Sequence, residues 1–423
     1  MRKFKKTLLG ISTLVISALS ITLLASCSLS GNKIYFGNFQ SYMSPDVINQ
    51  VSRQHNAEFK SYKNNEALLR EFKNNYDIAV SSSYTVMELI KRDELEKIRW
   101  SDLNIIFGGM QIKNSKEALN LFTPEIHPIL LGYDFDGDGV KDNLLDYAIP
   151  YFLQDFILGY KTEKLKFTNP NTFNNWQEVL VELQKLINDP NATNIPRGIS
   201  IDDPRTIYSL GKLVQDPNNN VNPLLNENSI KDFKKVFSFL NEFFKNNQMI
   251  FNSDSGNVLN DLAHPNGSSF GFMYNGDVIY SMFGGDDPKN VKVDFVRPTT
   301  GSNLALDMIV INKNSVANRT NIYKMIGDIA LNGITEKVID EKSLAFSNFK
   351  FVMYTSPVKA LYDYASDPTG YFSSLTNDPS LIERAIAAFK IPSTDSLNKI
   401  EDKITNLQKS NMLIAYLFTK NSL

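Results

Sequence analysis

The fold is decided by residues 33–84, KIYFGNFQSYMSPDVINQVSRQHNAEFKSYKNNEALLREFKNNYDIAVSSSY. Short apolar runs alternate here with segments whose apolar residues recur at helical spacing. The predicted strands are Lys33–Phe36, Glu58–Tyr62 and Asp77–Val80, and the predicted helices are Ser44–His55 and Asn65–Phe72. Strands joined through helices pair in parallel with right-handed crossovers, so this pattern predicts an α/β sheet.

Polar and aromatic residues follow two of these predicted strands directly. They are Asn38–Tyr42 after the first strand and Ser81–Tyr84 after the third. Ligands of open α/β sheets bind beyond the carboxyl ends of the strands. We therefore expect both clusters to face a ligand site.

A second α/β region begins after Pro150. Its predicted elements are the strands Phe156–Tyr160, Ile199–Ile201, Ser269–Met273 and Met308–Ile311 and the helix Trp176–Ile187. Pro150, Arg297-Pro298 and Ser356-Pro357 are the places where we expect the chain to cross between two lobes. The indole rings of Trp100 and Trp176 are expected to pack in the core, and Asp77 to anchor a loop or cap a helix.

The N-terminal residues have the pattern of an export signal. A basic start that contains Arg2, Lys3, Lys5 and Lys6 precedes an apolar run from Thr7 to Leu24. The following Leu24-Ala25-Ser26-Cys27 matches a lipoprotein signal box, and Cys27 is the only cysteine of the chain. Because a lone thiol cannot form an internal disulfide, we expect residues 1–26 to be removed and Cys27 to carry a lipid. A cleaved signal without lipid, or an uncleaved anchor, remains the alternative.

The composition is that of a globular protein with a mildly acidic body. The 423 residues are 42% hydrophobic and 21% charged, and the formal net charge is -2. The charged residues of the leader are all basic, so the rest of the chain is more acidic than this value. No stretch after Cys27 reaches the roughly 20 apolar residues that span a bilayer. The charge argues against nucleic acid as a partner and is compatible with a cationic one. The expected location is therefore the extracytoplasmic face of the cell membrane.

Enzyme signatures are weak in this sequence. The string Gly267-Ser268-Ser269-Phe270-Gly271 matches a nucleophile elbow, but it lacks the strand before and the helix after that the turn requires. The three histidines have no metal-ligand spacing, and no glycine loop of the Walker type is present. We expect a protein that is not an enzyme.

Seven short motifs in this order resemble the periplasmic spermidine/putrescine-binding proteins of ABC transporters. They are Ile34–Tyr42, Tyr76–Tyr84, Tyr147–Tyr151, Asn175-Trp176, Asp202–Arg205, Met273–Gly276 and Tyr354–Pro357. The resemblance implies a two-lobed α/β fold with the ligand in the cleft between the lobes. It divides the chain into a signal peptide (1–26), a first lobe (27–152 and 302–356) and a second lobe (153–301 and 357–423).

The same resemblance implies a function and a set of ligand contacts. The chain would capture a polyamine and deliver it to the permease and ATPase subunits of an importer, as a monomer without a required cofactor. The implied ligand-binding residues are Phe39, Tyr42, Ser82, Tyr84, Asp203, Tyr274, Asp307 and Tyr354. Carboxylates can pair with the ammonium ends of a polyamine. Aromatic rings can attract these ends through cation–π contacts and can pack against the methylene groups between them.

The chain departs from the family pattern at four positions, two of which are among these ligand-binding residues. The family commonly has Trp at Phe39, Tyr274 and Ala305, and an acid at Thr206. The loss of an acid and a large ring would favour a diamine over a triamine, or another organic cation. Asp155 is the candidate replacement for the missing acid.

One acidic cluster is identified from its spacing alone, independently of the family resemblance. Its residues Asp134, Asp136, Asp138, Val140 and Asp142, with Gly139 at the sixth place, follow the first part of a calcium-binding loop. The acid expected at the twelfth place is missing, because Leu145 stands there. A structural calcium ion and a plain acidic turn both remain open.

Two functional alternatives also remain open. Within the binding class the ligand could be thiamine or another organic cation. From a different class, the same scaffold could serve as a surface lipoprotein for adhesion, and a filled or apolar cleft would favour that function.

Overall fold

The computed structural model describes residues 33–134, 138–189, 197–215, 227–244, 249–284, 291–301, 303–335, 339–392 and 404–423. Its strands are β1 (Ile34–Phe39), β2 (Ala57–Tyr62), β3 (Ile78–Ser82), β4 (Ile106–Phe107), β5 (Met110–Gln111), β6 (Ala148–Lys161), β7 (Gly198–Ile201), β8 (Met249–Asn252), β9 (Phe270–Tyr274), β10 (Val293–Val296) and β11 (Leu304–Ile311). Its helices are α1 (Pro45–His55), α2 (Asn65–Asn75), α3 (Ser83–Lys91), α4 (Ser115–Ala118), α5 (His127–Leu130), α6 (Trp176–Ile187), α7 (Pro204–Gln215), α8 (Ile230–Phe243), α9 (Ser255–Ala263), α10 (Asn275–Met282), α11 (Arg319–Ala330), α12 (Leu344–Val352), α13 (Lys359–Ser366), α14 (Pro379–Phe389) and α15 (Asn406–Lys420).

The predicted elements are confirmed, with bounds that differ by a few residues. Helix α6 has the bounds predicted for it, and α1 begins at Pro45, directly after Ser44. The strand predicted at Phe156–Tyr160 is part of the much longer β6. Its continuation toward Ala148 was missed because a proline, Pro150, lies inside it, and proline lacks the N–H that a strand interior normally donates.

The described strands outside the small β4–β5 hairpin form one nine-stranded sheet with the order β2-β1-β3-β11-β6-β9-β7-β8, and β10 also pairs with β6. Strand β1 pairs in parallel with β2 and β3, as predicted, and β7 pairs in parallel with β8 and β9. Strand β11 runs antiparallel to both β3 and β6. The beginning of β11 therefore lies at the same edge as the carboxyl ends of β1 and β3.

Strand β6 belongs to both halves of this sheet. Residues Ala148–Asp155 pair with β11, whereas Phe156–Tyr160 pair with β9. We call β2, β1, β3, β11 and the first part of β6 the first half-sheet, and the remaining part of β6 with β9, β7, β8 and β10 the second half-sheet. The lobe boundary predicted between residues 152 and 153 falls inside β6 and stays a prediction.

The predicted crossing segments lie side by side at the junction of the two half-sheets. Leu153 N–H donates a hydrogen bond of 2.9 Å to the carbonyl oxygen of Thr355, and Phe156 N–H donates one of 3.2 Å to Asn303. Asp155 is buried, and its Oδ2 lies 2.5 Å from Arg297 Nε. Burial raises the pKa of Asp155 to about 6 although the guanidinium lowers it. Asp155 thus joins two crossing segments.

Both tryptophans are buried in the core, which confirms their predicted structural role. Trp100 Nε1 donates to the carbonyl oxygen of Leu145 at 2.8 Å, and Trp176 Nε1 donates to that of Gly301 at 3.2 Å. Asp77 also has the expected anchoring role, since its Oδ2 accepts from Tyr35 N–H at 2.8 Å.

Among the residues that the structure describes, no helix has the length and apolar character that crossing a membrane requires.

Candidate functional site

A cavity lies where the carboxyl ends of β1, β3, β7 and β9 meet the beginning of β11. Its volume is about 120 Å³. A single water-sized group needs roughly 10–15 Å³ on this measure, so the cavity has room for a small organic molecule. All eight predicted ligand-binding residues line it: Phe39, Tyr42, Ser82, Tyr84, Asp203, Tyr274, Asp307 and Tyr354.

Asp307 is the most deeply buried carboxylate of this lining. Its Oδ1 accepts a hydrogen bond of 2.7 Å from Ser82 Oγ, and its Oδ2 accepts one of 2.9 Å from Tyr42 Oη. Burial raises the pKa of Asp307 to about 6, and the two hydroxyl groups partly offset this effect. The register of β11 against β6 shifts between Asp307 and Met308. Such irregularities change the direction in which a strand side chain points.

Asn65 holds one of the two hydroxyls in place. Its Nδ2 donates to Ser82 Oγ at 3.1 Å, and its Oδ1 accepts from Ser82 N–H at 3.2 Å. The neighbouring Asn64 caps α2 by accepting from Ala67 N–H. The sequence analysis missed Asn65, although β2 ends just before it and the same rule about carboxyl ends of strands would have found it.

Four of the predicted aromatic residues form a continuous row of ring contacts that leads from the first half-sheet to the second. Ring centroids are 5.8 Å apart for Phe39 and Tyr42, 5.2 Å for Tyr42 and Tyr354, and 6.3 Å for Tyr354 and Tyr274. Such contacts stabilise each ring pair by about 0.5–1.5 kcal/mol. The row gives the cavity an aromatic wall that can cover methylene groups.

Asp277 supports this wall from outside the cavity lining. Tyr354 Oη donates a hydrogen bond of 2.7 Å to Asp277 Oδ1, and Asp277 Oδ2 is buried with no hydrogen-bond partner among the described residues. Burial raises the pKa of Asp277 to about 7. The sequence analysis did not single out this residue, which follows the Met273–Gly276 motif directly.

Asp203 has a structural partner on its own helix. Its Oδ2 accepts from Thr206 N–H at 3.0 Å and from Thr206 Oγ1 at 2.5 Å, directly before α7 begins. The same Thr206 hydroxyl lies 3.1 Å from Tyr274 Oη. Asp203 therefore lines the cavity and caps α7 with one oxygen, while its contact with a ligand stays a prediction.

Arg205 belongs to the Asp202–Arg205 motif, but the sequence analysis gave it no role in ligand binding. It is only 6% exposed, and its guanidinium carbon lies 3.6 Å from the centroid of the Tyr84 ring. Tyr84 comes from α3 beside the first half-sheet, and Arg205 comes from α7 beside the second. The expected aromatic surface of Tyr84 is thus already in contact with a cation of the protein.

The predicted calcium loop lies partly outside the described residues, since these do not include Asp136 and Gly137. Gly139 adopts a φ of +87°, which glycine tolerates and other residues rarely adopt. Asp134 Oδ2 accepts from Gly139 N–H at 2.9 Å, and Asp138 Oδ1 accepts from Val140 N–H at 2.7 Å. Within the described ranges no group of three or more metal-binding side chains is found. The calcium site, including Asp142, stays a prediction.

Curated proteins with similar sequences agree with the resemblance seen in the motifs. The chain is 21% identical over 378 residues to the spermidine/putrescine-binding periplasmic protein of Escherichia coli, which covers 88% of this chain and 90% of that protein. It is also 21% identical over 347 residues to the spermidine/putrescine-binding periplasmic protein of Salmonella typhimurium. That match covers 80% of this chain and 83% of the Salmonella protein. The predicted resemblance is confirmed.

Solved structures agree with the fold. The spermidine/putrescine ABC transporter substrate-binding protein PotD of Streptococcus pneumoniae, crystallised with calcium and HEPES, has a TM-score of 0.56 and 16% identity, and covers 92% of this chain and 99% of that chain. The Tp0655 (TpPotD) lipoprotein of Treponema pallidum has a TM-score of 0.52 and 13% identity, with coverage of 92% and 99%. At these identities the likeness shows the fold alone, which is the two-lobed α/β fold predicted from the sequence.

The remaining comparison assigns the chain to a family. The model of a family described as hypothetical lipoprotein (MG045 family) matches residues 1–389, which is most of the 423 residues. This protein therefore belongs to the MG045 family of hypothetical lipoproteins.

Proposed function

We propose that this chain is the extracytoplasmic, lipid-anchored capture subunit of an ABC importer and that it binds a small amine of the polyamine class in its cleft. The single observation that carries the ligand class is the burial of the Asp307 carboxylate without a cationic partner among the described residues. This buried carboxylate accepts hydrogen bonds from two hydroxyls, and no Lys, Arg or His among the described residues forms an ion pair with it. A buried carboxylate without a cation is costly, and a ligand ammonium group removes that cost.

The aromatic row supports the same ligand class. An aliphatic amine presents methylene groups next to its ammonium end, and both are stabilised by the faces and edges of tyrosine rings. Tyr42 lies beside Asp307, because its hydroxyl bonds to that carboxylate, and the Tyr354 ring contacts the Tyr42 ring. A cation over an aromatic ring gains roughly 0.5–2 kcal/mol. Delivery to a permease is supported by the curated relatives, which are binding proteins for spermidine and putrescine.

The proposal is tested by isothermal calorimetry of the full-length protein in mild detergent with putrescine, spermidine, spermine and thiamine. Asp307→Asn keeps the shape and removes the charge. Loss of one partner of a desolvated charge pair typically costs roughly 3–5 kcal/mol, so we expect affinity to fall by about two to four decades. Asp203→Asn should cost less, because that carboxylate is partly occupied with Thr206.

The matched control is Asp294→Asn, which removes a half-buried acid that pairs with Arg384 away from the cavity. It should leave amine binding unchanged. If no amine binds to the folded parent protein, or if Asp307→Asn binds every amine as tightly as the parent, the proposed ligand class is wrong. Binding of thiamine alone would establish the other organic-cation alternative.

A further inference from the structure

The pair Arg205 and Tyr84 distinguishes this cavity from one built for a polycation. The guanidinium carbon of Arg205 lies 3.6 Å from the Tyr84 ring centroid, and both residues line the cavity. A ring face that already holds a guanidinium offers little further attraction to a ligand ammonium. An ammonium group at this end would in addition meet the positive charge of Arg205 in a partly desolvated site, where like charges repel strongly.

The charges of the cavity lining point in the same direction. Three carboxylates line it, namely Asp202, Asp203 and Asp307, and two cations do so, namely Lys63 and Arg205. Asp202 is already paired, because Lys420 Nζ lies 2.8 Å from its Oδ2. Of the two cations, Lys63 is exposed and Arg205 is buried, with Glu66 near enough to Arg205 to interact with it electrostatically. Arg205 is thus the buried cation that a ligand in the cavity would meet.

The two remaining carboxylates differ in what they can offer a ligand. Asp203 Oδ2 accepts from the backbone and the hydroxyl of Thr206 at the start of α7, and Arg205 lies on the same first turn. Asp307 lies in the first half-sheet, and its carboxylate accepts hydrogen bonds only from the hydroxyl groups of Tyr42 and Ser82 among the described residues. The cavity therefore has one strong place for an ammonium group, at Asp307.

We propose that Arg205 determines specificity: it selects amines that carry a single ammonium group, bound at Asp307, and a hydrogen-bond-accepting oxygen of neutral or negative charge at the Arg205 end. A guanidinium donates hydrogen bonds well to carboxylate and amide oxygens. An N-acylated diamine and an ω-amino acid share this chemistry. The inference rests on the proposed function and changes its ligand from a polyamine with several ammonium groups to a related amine with one ammonium group, bound at the same Asp307.

The test compares four ligands that share one primary ammonium end and differ at the other. Calorimetry of the full-length protein in mild detergent uses N-acetylputrescine, 4-aminobutanoate, putrescine and spermidine. We expect at least one of the two oxygen-ended ligands to bind tenfold or more tightly than spermidine. The ratio between N-acetylputrescine and 4-aminobutanoate then tells whether the accepted oxygen belongs to an amide or to a carboxylate.

Variants of Arg205 connect this preference to the residue. In Arg205→Gln the preference for the oxygen-ended ligand over spermidine should fall at least tenfold, whereas Arg205→Lys, which keeps the charge, should still discriminate against spermidine. The matched control is Arg384→Gln, which removes a guanidinium 4.1 Å from the Phe295 ring centroid outside the cavity lining. It should leave the ranking unchanged.

Three outcomes overturn the inference. If the parent protein binds spermidine as tightly as both oxygen-ended ligands, or if Arg205→Gln binds all four ligands in the parent's ratios, Arg205 does not set specificity while the proposed function stands. If none of the four amines binds to the folded protein, the proposed function fails and takes this inference with it. Thermal melting of each variant identifies loss of folding. If Arg205→Gln does not fold, the ligand preference of Arg205→Lys is compared with that of the parent protein instead.

Discussion

Gly276 and Tyr354 lie in direct contact, and a Cβ atom placed on Gly276 would be 1.6 Å from Cδ1 of the Tyr354 ring. Gly276 is in the first turn of α10, and Tyr354 is in the row of rings that forms the cavity wall. Only a residue without a side chain permits this approach. The glycine of the Met273–Gly276 motif thus helps to set the position of a cavity residue.

Gly276→Ala should therefore displace the Tyr354 ring and break its hydrogen bond to Asp277. Inserting a methyl group into a tightly packed site costs about 1–3 kcal/mol of unfolding free energy, and we expect amine affinity to fall with it. Denaturant unfolding and calorimetry measure the two effects. Gly327→Ala in α11 is the control, since its new Cβ would meet only the Asn332 side chain at 3.0 Å. Equal losses in both variants would contradict the argument.

The pKa of Asp307 predicts how binding depends on pH. Burial raises it to about 6 from the ordinary value of 3.8, and an ammonium ligand needs the ionised form. Affinity should consequently fall as pH falls through 6, by about tenfold between pH 7 and pH 5 if this one group titrates. In the ligand-free protein the sign is opposite: the folded state binds the proton more tightly, so Asp307 favours folding more as pH falls from 6 toward 3.8.

Calorimetry across this pH range checks the prediction, with Asp307→Asn as the variant that should lose most of the dependence. Asp277, whose pKa burial raises to about 7, is the other acid near the wall. Asp277→Asn therefore separates the two contributions. A flat affinity between pH 7 and pH 5 in the parent protein would exclude Asp307 as the ammonium partner.

Lipid attachment at Cys27 lies outside the described residues and remains a prediction from the sequence. We expect Cys27→Ser to move the protein from the membrane fraction to the soluble fraction of the extracytoplasmic space, because a thioether-linked lipid requires the thiol. Metabolic labelling with a fatty acid and fractionation measure this. Ala25→Ser is a control that keeps the thiol. Membrane retention of Cys27→Ser with unchanged electrophoretic mobility would contradict lipidation.

The acidic loop that contains Asp134 and Asp138 predicts a response to calcium. A ligand that binds only the folded state stabilises it by RT ln(1 + [L]/Kd), so chelation should lower the melting temperature of the parent protein. Asp136→Ala combined with Asp138→Ala should remove the response, while amine affinity stays the same. Identical melting curves with and without chelator would show that the segment is a plain acidic turn.

The sequence predicted the cavity residues well because the signal was local. A ligand site beyond the carboxyl ends of parallel strands follows from the order of elements, and this rule selected the clusters Asn38–Tyr42 and Ser81–Tyr84 at the ends of β1 and β3. Asp203, Tyr274, Asp307 and Tyr354 came from the resemblance instead, since no periodic pattern distinguishes them. The predicted ligand contacts themselves await the binding experiments.

Arg205 and Asp155 show where sequence reasoning stopped. Each is defined by a partner far away in the chain, Tyr84 for Arg205 and Arg297 for Asp155, and no spacing rule connects such residues. Asp155 was considered as a replacement for a missing acid of the cavity. The structure instead places it in an ion pair at the crossing segments, where a buried charge needs a partner of opposite sign.

The way β6 runs through both half-sheets has a mechanical consequence. At the peptide link between Asp155 and Phe156 the strand changes partner from β11 to β9 without interruption. Any rotation of one half-sheet against the other must pass through this continuous strand, and hinge motions are absorbed by changes in the backbone dihedral angles of a few residues. The residues on either side of this link are therefore the ones whose dihedral angles a change in cleft width would alter.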